Sequence, residues 1–69
     1  MAKAKKDIVA KRILQIGAAI RKQRDAMGMT VAQLAKRVGV SRNTITNYES
    51  GKTEPSASDL VRLAETLGC

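Results

Sequence analysis

The sequence predicts an all-α fold, a small helical bundle of four to five helices. Three observations lead there. Apolar residues recur at helical spacing in several segments, and no sustained period-two run marks a strand. The chain has no Phe and no Trp, and Tyr48 is its one aromatic residue. Its core must therefore be aliphatic, which suits closely packed helices better than a sheet. Finally, Ser, Thr and Gly fall where helices would start and stop. With 69 residues, the chain is sized for one small domain.

The elements follow in order. Residues 1–6, MAKAKK, are small and cationic; they read either as a solvated tail or as a basic arm for a polyanion. From Asp7 to Met27 the pattern is helical, with Ile13, Ile16, Ile20 and Met27 on one side and Arg12, Lys22 and Asp25 elsewhere. Asp7 is the candidate N-cap and Gly28 the stop. Gly17 costs a helix interior about 1 kcal/mol relative to Ala. It marks either the close approach of a neighbouring helix or a break that leaves 7–16 as a separate turn.

Thr30 then N-caps a short helix, and Gln33 three residues on completes a capping box. Leu34, Ala35 and Val38 form its apolar face. Gly39 ends it where a left-handed residue is wanted. Ser41 N-caps the next helix, whose outer face carries Arg42, Asn43, Thr44, Thr46 and Asn47 while Ile45 points inward. Val40 belongs to the core, and the small Ala35 lets the two helices cross closely. Farther on, Pro55 biases Glu54 away from helix. Ser56 N-caps a last helix, with Asp59 at the capping-box position near the positive helix end. Leu60, Leu63, Ala64 and Leu67 make its inward face, and Gly68 is the stop. The expected helices lie near 7–27, 31–38, 42–49 and 57–67. The domain division is 1–12, a basic N-terminal arm or the frayed start of the first helix, and 13–69, a single helical domain without repeats or linker.

Two short helices joined by a tight turn, the second with a hydrogen-bonding outer face, are the layout of a DNA-binding helix-turn-helix. The charge agrees. Thirteen basic residues against six acidic give a net charge of +7, a strong positive field on so small a body. Nucleic acid is the first candidate partner and a membrane surface the second, although no stretch is long or apolar enough to span a bilayer. The basic start lacks the apolar core of a signal peptide. Cys69 is the single cysteine and there is no His. An internal disulfide, a zinc site and any His-dependent catalytic triad are thereby excluded. The acids Asp7, Asp25, Glu49, Glu54, Asp59 and Glu65 are scattered singly, and no Gly-rich phosphate loop occurs. The reading is therefore not an enzyme, with no cofactor, no metal and no evident small-molecule ligand, placed in a reducing cytoplasm.

Four pieces in this order and spacing resemble the Cro/cI-type, or xenobiotic-response-element-type, helix-turn-helix family: IGAAIRKQRDAMGMT, LAKRVGVS, ITNYESG and PSASDLVRLAETLG. The resemblance runs from about Ile16 to Gly68. It implies a lambda-repressor-like bundle of about five helices that binds double-stranded operator DNA, an inverted repeat, as a homodimer, and regulates transcription as a repressor. It also implies a structural pair between Arg24 and Glu49, where bidentate hydrogen bonds would hold two helices in register. Two departures stand out. Family members often have Gln where this chain has Val31, and its phosphate contact is lost here or passes to Thr30 or Gln33. The chain also stops at Cys69, where a fifth helix, often an aid to dimerisation, would begin.

The candidate base contacts are Arg42, Asn43, Thr44 and Asn47. Arg42 can grip guanine O6 and N7 or clamp a phosphate. Asn43 has the amide geometry for adenine N6 and N7. Thr44 can donate to phosphate or touch a thymine methyl. Asn47, one turn beyond Asn43, reaches the next base step. The candidate backbone contacts are Thr30, Gln33, Ser41, Thr46, Ser50 and Lys52, together with amide groups near Ser50 and Gly51. Lys36 and Arg37 supply solvated, long-range charge. Tyr48 is expected at the core edge with its hydroxyl outward. No acidic residue occurs between Asp25 and Glu49, which spares this surface from repelling phosphate. The competing reading is an antitoxin or bridging-type protein-interaction module, since one fold serves several functions.

Overall fold

In the computed structural model, residues 2–68 are described in backbone and residues 11–68 in side chain. Four helices follow one another: α1 (Ala2–Ala26), α2 (Val31–Val38), α3 (Arg42–Ser50) and α4 (Ala57–Leu67). No strand occurs among the described residues. α1 begins before Asp7, the expected N-cap, because the Ala- and Lys-rich start is composed of strong helix formers. The side chains of the basic segment 1–6 and Cys69 lie outside the described residues.

Gly17 does not break α1. A Cβ on Gly17 would meet the main-chain carbonyl oxygen of Tyr48 and lie 2.7 Å from that of Glu49. The missing side chain is what lets α1 lie directly on the carboxyl end of α3. The α2–α3 turn is built as its residues dictate. Thr30 and Gln33 form the reciprocal capping box. Gly39 takes φ 86°, a region costly for residues with a Cβ, and its N–H donates to the Ala35 carbonyl at 2.8 Å. Ser41 then accepts the Thr44 N–H at 3.1 Å.

The core gathers Ile20, Met29, Leu34, Ala35, Val38, Ile45, Tyr48, Leu63 and Leu67, with Ile16, Val31 and Val40 packed against it. Leu34, Ile45 and Leu63 are its fully enclosed anchors, each worth about 1.5–3 kcal/mol of burial. Two apolar expectations need correction. Met27 is exposed and Met29 is buried instead, because α1 ends at Ala26 and the following turn swings the chain inward, with Met29 N–H bonded to the Arg24 carbonyl. Leu60 is 43% exposed. It edges an open apolar groove of about 220 Å³ between α1 and α4, where Leu63 and Leu67 turn inward and Leu60 does not.

Tyr48 also departs from expectation. It is buried, and its hydroxyl donates to Asp59 Oδ2 at 2.6 Å, tying α3 to α4. The Asp59 N–H still donates to Ser56, so only the backbone half of the cap forms there. The bond to Asp59, and then burial, push the Tyr48 hydroxyl above its ordinary pKa of 10.0. A raised value means that the folded state favours the neutral phenol. Its stabilisation is whole below pH 10 and is lost as pH climbs through the raised value.

Gly17→Ala should lower stability by about 1–3 kcal/mol in urea unfolding, overriding the helix-propensity gain, because backbone carbonyls cannot step aside. Tyr48→Phe should cost about 1.5–3 kcal/mol at pH 7. Its deficit against wild type should shrink as unfolding is repeated above pH 10.

Candidate nucleic-acid interface

α3 divides cleanly. Ile45 and Tyr48 enter the core, while Arg42, Asn43, Thr46 and Ser50 are exposed and Thr44 and Asn47 half-buried. Residues 42, 46 and 50 fall one turn apart, as do 43 and 47, so the exposed side chains share one face. The side chains of Arg42 and Asn43 have no hydrogen-bond partner among the described residues and are free to engage a ligand.

The hydroxyls are partly committed. Ser41 Oγ and Thr44 Oγ1 lie 2.8 Å apart, so one donates to the other and one proton stays available. Ser50 Oγ donates to the Asn47 carbonyl at 3.2 Å. The amides expected near Gly51 are likewise engaged. Gly51 N–H donates to the Tyr48 carbonyl, and Lys52 and Thr53 N–H to that of Asn47. These bonds close the carboxyl end of α3, so what that loop offers a ligand is the exposed Lys52 ammonium.

At the start of α2 the pattern differs. Thr30 Oγ1 accepts from Gln33 N–H at 3.1 Å, and Gln33 Oε1 accepts from Thr30 N–H at 2.8 Å. The box engages an acceptor on each side chain and leaves the Thr30 O–H and the Gln33 amide hydrogens directed to solvent. Val31 and Thr46 line one cleft, which sets the start of α2 beside the flank of α3. Lys36 and Arg37 are exposed in the last turn of α2, where the helix dipole favours cations.

One junction underlies the face. Arg24 Nε donates to Glu49 Oε2 at 2.7 Å, and Nη2 donates to Oε1 at 3.1 Å. Arg24 Nη1 donates to the Met29 carbonyl at 2.8 Å and lies 3.2 Å from Asp25 Oδ1. The Arg24 and Glu49 side chains are only 11% and 9% exposed. The bond to Glu49 holds Arg24 above its ordinary pKa against the opposing effect of burial. The one carboxylate on α3 is thus neutralised and turned away from the open face.

Two features escaped the sequence reading. The Tyr48–Asp59 bond joins residues eleven apart on different helices, and no local pattern announces it. The other is Arg21, which stands one turn from both Gly17 and Arg24 and so must lie on the α3 side of α1.

Comparison with known proteins gives a consistent picture. The helix-turn-helix family model matches residues 20–69. An uncharacterised HTH-type transcriptional regulator of Methanothermobacter thermautotrophicus is 45% identical over 49 residues, covering 71% of each chain. The cryptic phage CTXphi transcriptional repressor RstR of Vibrio cholerae is 40% identical over 45 residues, 65% of this chain and 40% of that protein. Repressor protein C2 of Salmonella phage P22 is 37% identical over 54 residues, 78% of this chain and 25% of that protein. The chain therefore spans less than half the length of either phage repressor.

Glu49→Ala should cost about 3–5 kcal/mol, since it strands a buried guanidinium. A loss below about 1 kcal/mol in urea unfolding would equate the pair with a surface ion pair.

Proposed function

The chain belongs to the helix-turn-helix family, and from that premise we propose that it is a sequence-specific double-stranded DNA-binding regulator of transcription, a repressor acting by occupancy. The observation that carries this reading is the outer face of α3. It presents a free Arg, two Asn side chains and hydroxyls, with its one carboxylate sequestered by Arg24. Such a face, led by the residues at the helix N-terminus, suits the major groove.

In this reading Arg42, Asn43, Thr44 and Asn47 meet base edges. Thr30, Gln33, Ser41, Thr46, Ser50 and Lys52 meet the sugar-phosphate backbone. The capping box supports the parts given to Thr30 and Gln33, because it leaves each with donors facing outward, and phosphate needs donors. Ser50 must turn its proton away from the Asn47 carbonyl to take part. The basic residues of segment 1–12, most of them in the first turns of α1, add positive charge for a nearby strand. Two relatives carry the word repressor in their names, which supports repression as the sign of regulation. A homodimer on an inverted-repeat operator, in the cytoplasm at the nucleoid, completes the proposal. No helix among the described residues is long and apolar enough to cross a membrane. The open apolar groove between α1 and α4 favours a second reading, an antitoxin or bridging-type module in which that groove takes a protein partner.

Selection from a random duplex library tests the proposal. Enrichment of an inverted repeat, with half-sites about one helical turn apart, is the expected result; a single short site would mean a monomeric reader. Retention without enrichment would overturn sequence-specific recognition and favour the protein-interaction module. On the selected duplex, Arg42→Ala should lose about 1–3 kcal/mol with relaxed preference at one base pair. An equal loss on every duplex would assign Arg42 to phosphate.

A further inference from the structure

A polar cleft of about 300 Å³ opens between α1 and α3 beside the first residue of α2. Arg21 and Arg24 line it from α1, Thr46, Glu49 and Ser50 from α3, and Val31 from α2. Its charges are not equivalent. Both Glu49 oxygens accept from Arg24, so that pair is internally neutral. Arg21 is exposed and pairs with no carboxylate among the described residues. The cleft therefore carries one uncompensated guanidinium, with five N–H donors and no acceptor. Of its two hydroxyls, Ser50 donates to the Asn47 carbonyl, which leaves Thr46 with a free donor. A cation and a hydroxyl donor with no free anion nearby suit a phosphate oxygen.

The position of the cleft says whose phosphate. Thr46 is both a wall of the cleft and a residue of the exposed face of α3, one turn beyond Arg42. The major groove is about 12 Å wide and a helix with its side chains about 10–12 Å across. A duplex read by α3 must therefore run its sugar-phosphate strands along the flanks of that helix, and the Thr46–Ser50 flank is where Arg21 stands. Gly17 brings Arg21 there: α1 rests its backbone on the Tyr48 and Glu49 carbonyls, and Arg21 lies one turn on. Val31 forms the α2 wall and offers no polar atom of its side chain.

We propose that Arg21 is a phosphate ligand for the bound duplex, seated with Thr46 in this cleft. The inference rests on the DNA-binding reading and assigns a residue that the reading leaves out. Arg21 fixes the register of α3 along the groove and carries no base preference of its own.

Affinity is measured against salt for wild type, Arg21→Gln and Arg21→Lys, on the selected duplex and on a scrambled one. Arg62→Gln on α4 is the control. Arg21→Gln should keep the wild-type unfolding midpoint, weaken both duplexes by the same factor, and reduce the slope of log K against log salt by about 0.9, one phosphate. Arg21→Lys should restore the slope. Ethylation interference should show a phosphate whose modification weakens wild type and leaves Arg21→Gln unaffected. An unchanged slope and footprint for Arg21→Gln, with Arg42→Ala still impaired, would overturn the assignment while sparing the DNA-binding reading. A loss confined to the selected duplex would overturn it too, by making Arg21 a base reader. Failure of wild type to bind any duplex would overturn both.

Discussion

Arg24 is the residue on which the arrangement of the other helices depends. One guanidinium bonds the α3 carboxylate through two nitrogens and the main chain at Met29 through the third. It thereby fixes α3 and the α1–α2 turn relative to α1. Gly17 complements it, because hydrogen bonds of this length require the backbones of α1 and α3 to approach within reach. The buried pair need not add net stability over an apolar substitute. Its role lies in specificity: of the ways an aliphatic core of Leu, Ile and Val could settle, it selects the one in which the outer face of α3 stands free.

The caps then shape what that face offers. At the start of α2 the box turns acceptors inward and leaves donors outside. At the start of α3, Ser41 and Thr44 share one proton and leave another. At the end of α3 the amides fold back onto the Asn47 and Tyr48 carbonyls, so Lys52 is the donor that remains. Local helix chemistry has thus engaged acceptors at the two caps and left donors exposed beside them, an arrangement that suits an anion at the helix starts.

Much of this was legible in the sequence, and what was legible was local. The bounds of α2 and α4 and the start of α3 follow from Thr30, Gly39, Ser41, Ser56 and Gly68, whose effects act within one turn. The aliphatic core followed from helical spacing at Leu34, Ala35, Val38, Ile45, Leu63 and Leu67. The errors fall where a distant group decides. Met27 continues the apolar stripe of α1 on paper, yet the helix ends one residue earlier. Leu60 has the spacing of a core residue, but α1 and α4 do not close over it. The Tyr48 hydroxyl turned to Asp59 rather than to solvent, a choice made by the packing of α4. Gly17 left two readings open because only the partner helix could decide between them. Arg24 and Glu49 were linked through family resemblance, since nothing in either segment alone joins residues twenty-five apart.

Tyr48 has a consequence for anyone who follows this protein by light. It is the chain's one aromatic residue, and it stands buried at the joint of α3 and α4 with its hydroxyl bonded across that joint. In most domains an ultraviolet signal averages over several rings in different surroundings. Here the near-ultraviolet absorbance and fluorescence of the whole chain belong to one phenol at one contact. The protein carries a single internal chromophore, and its spectrum reports whether α3 is still fastened to α4.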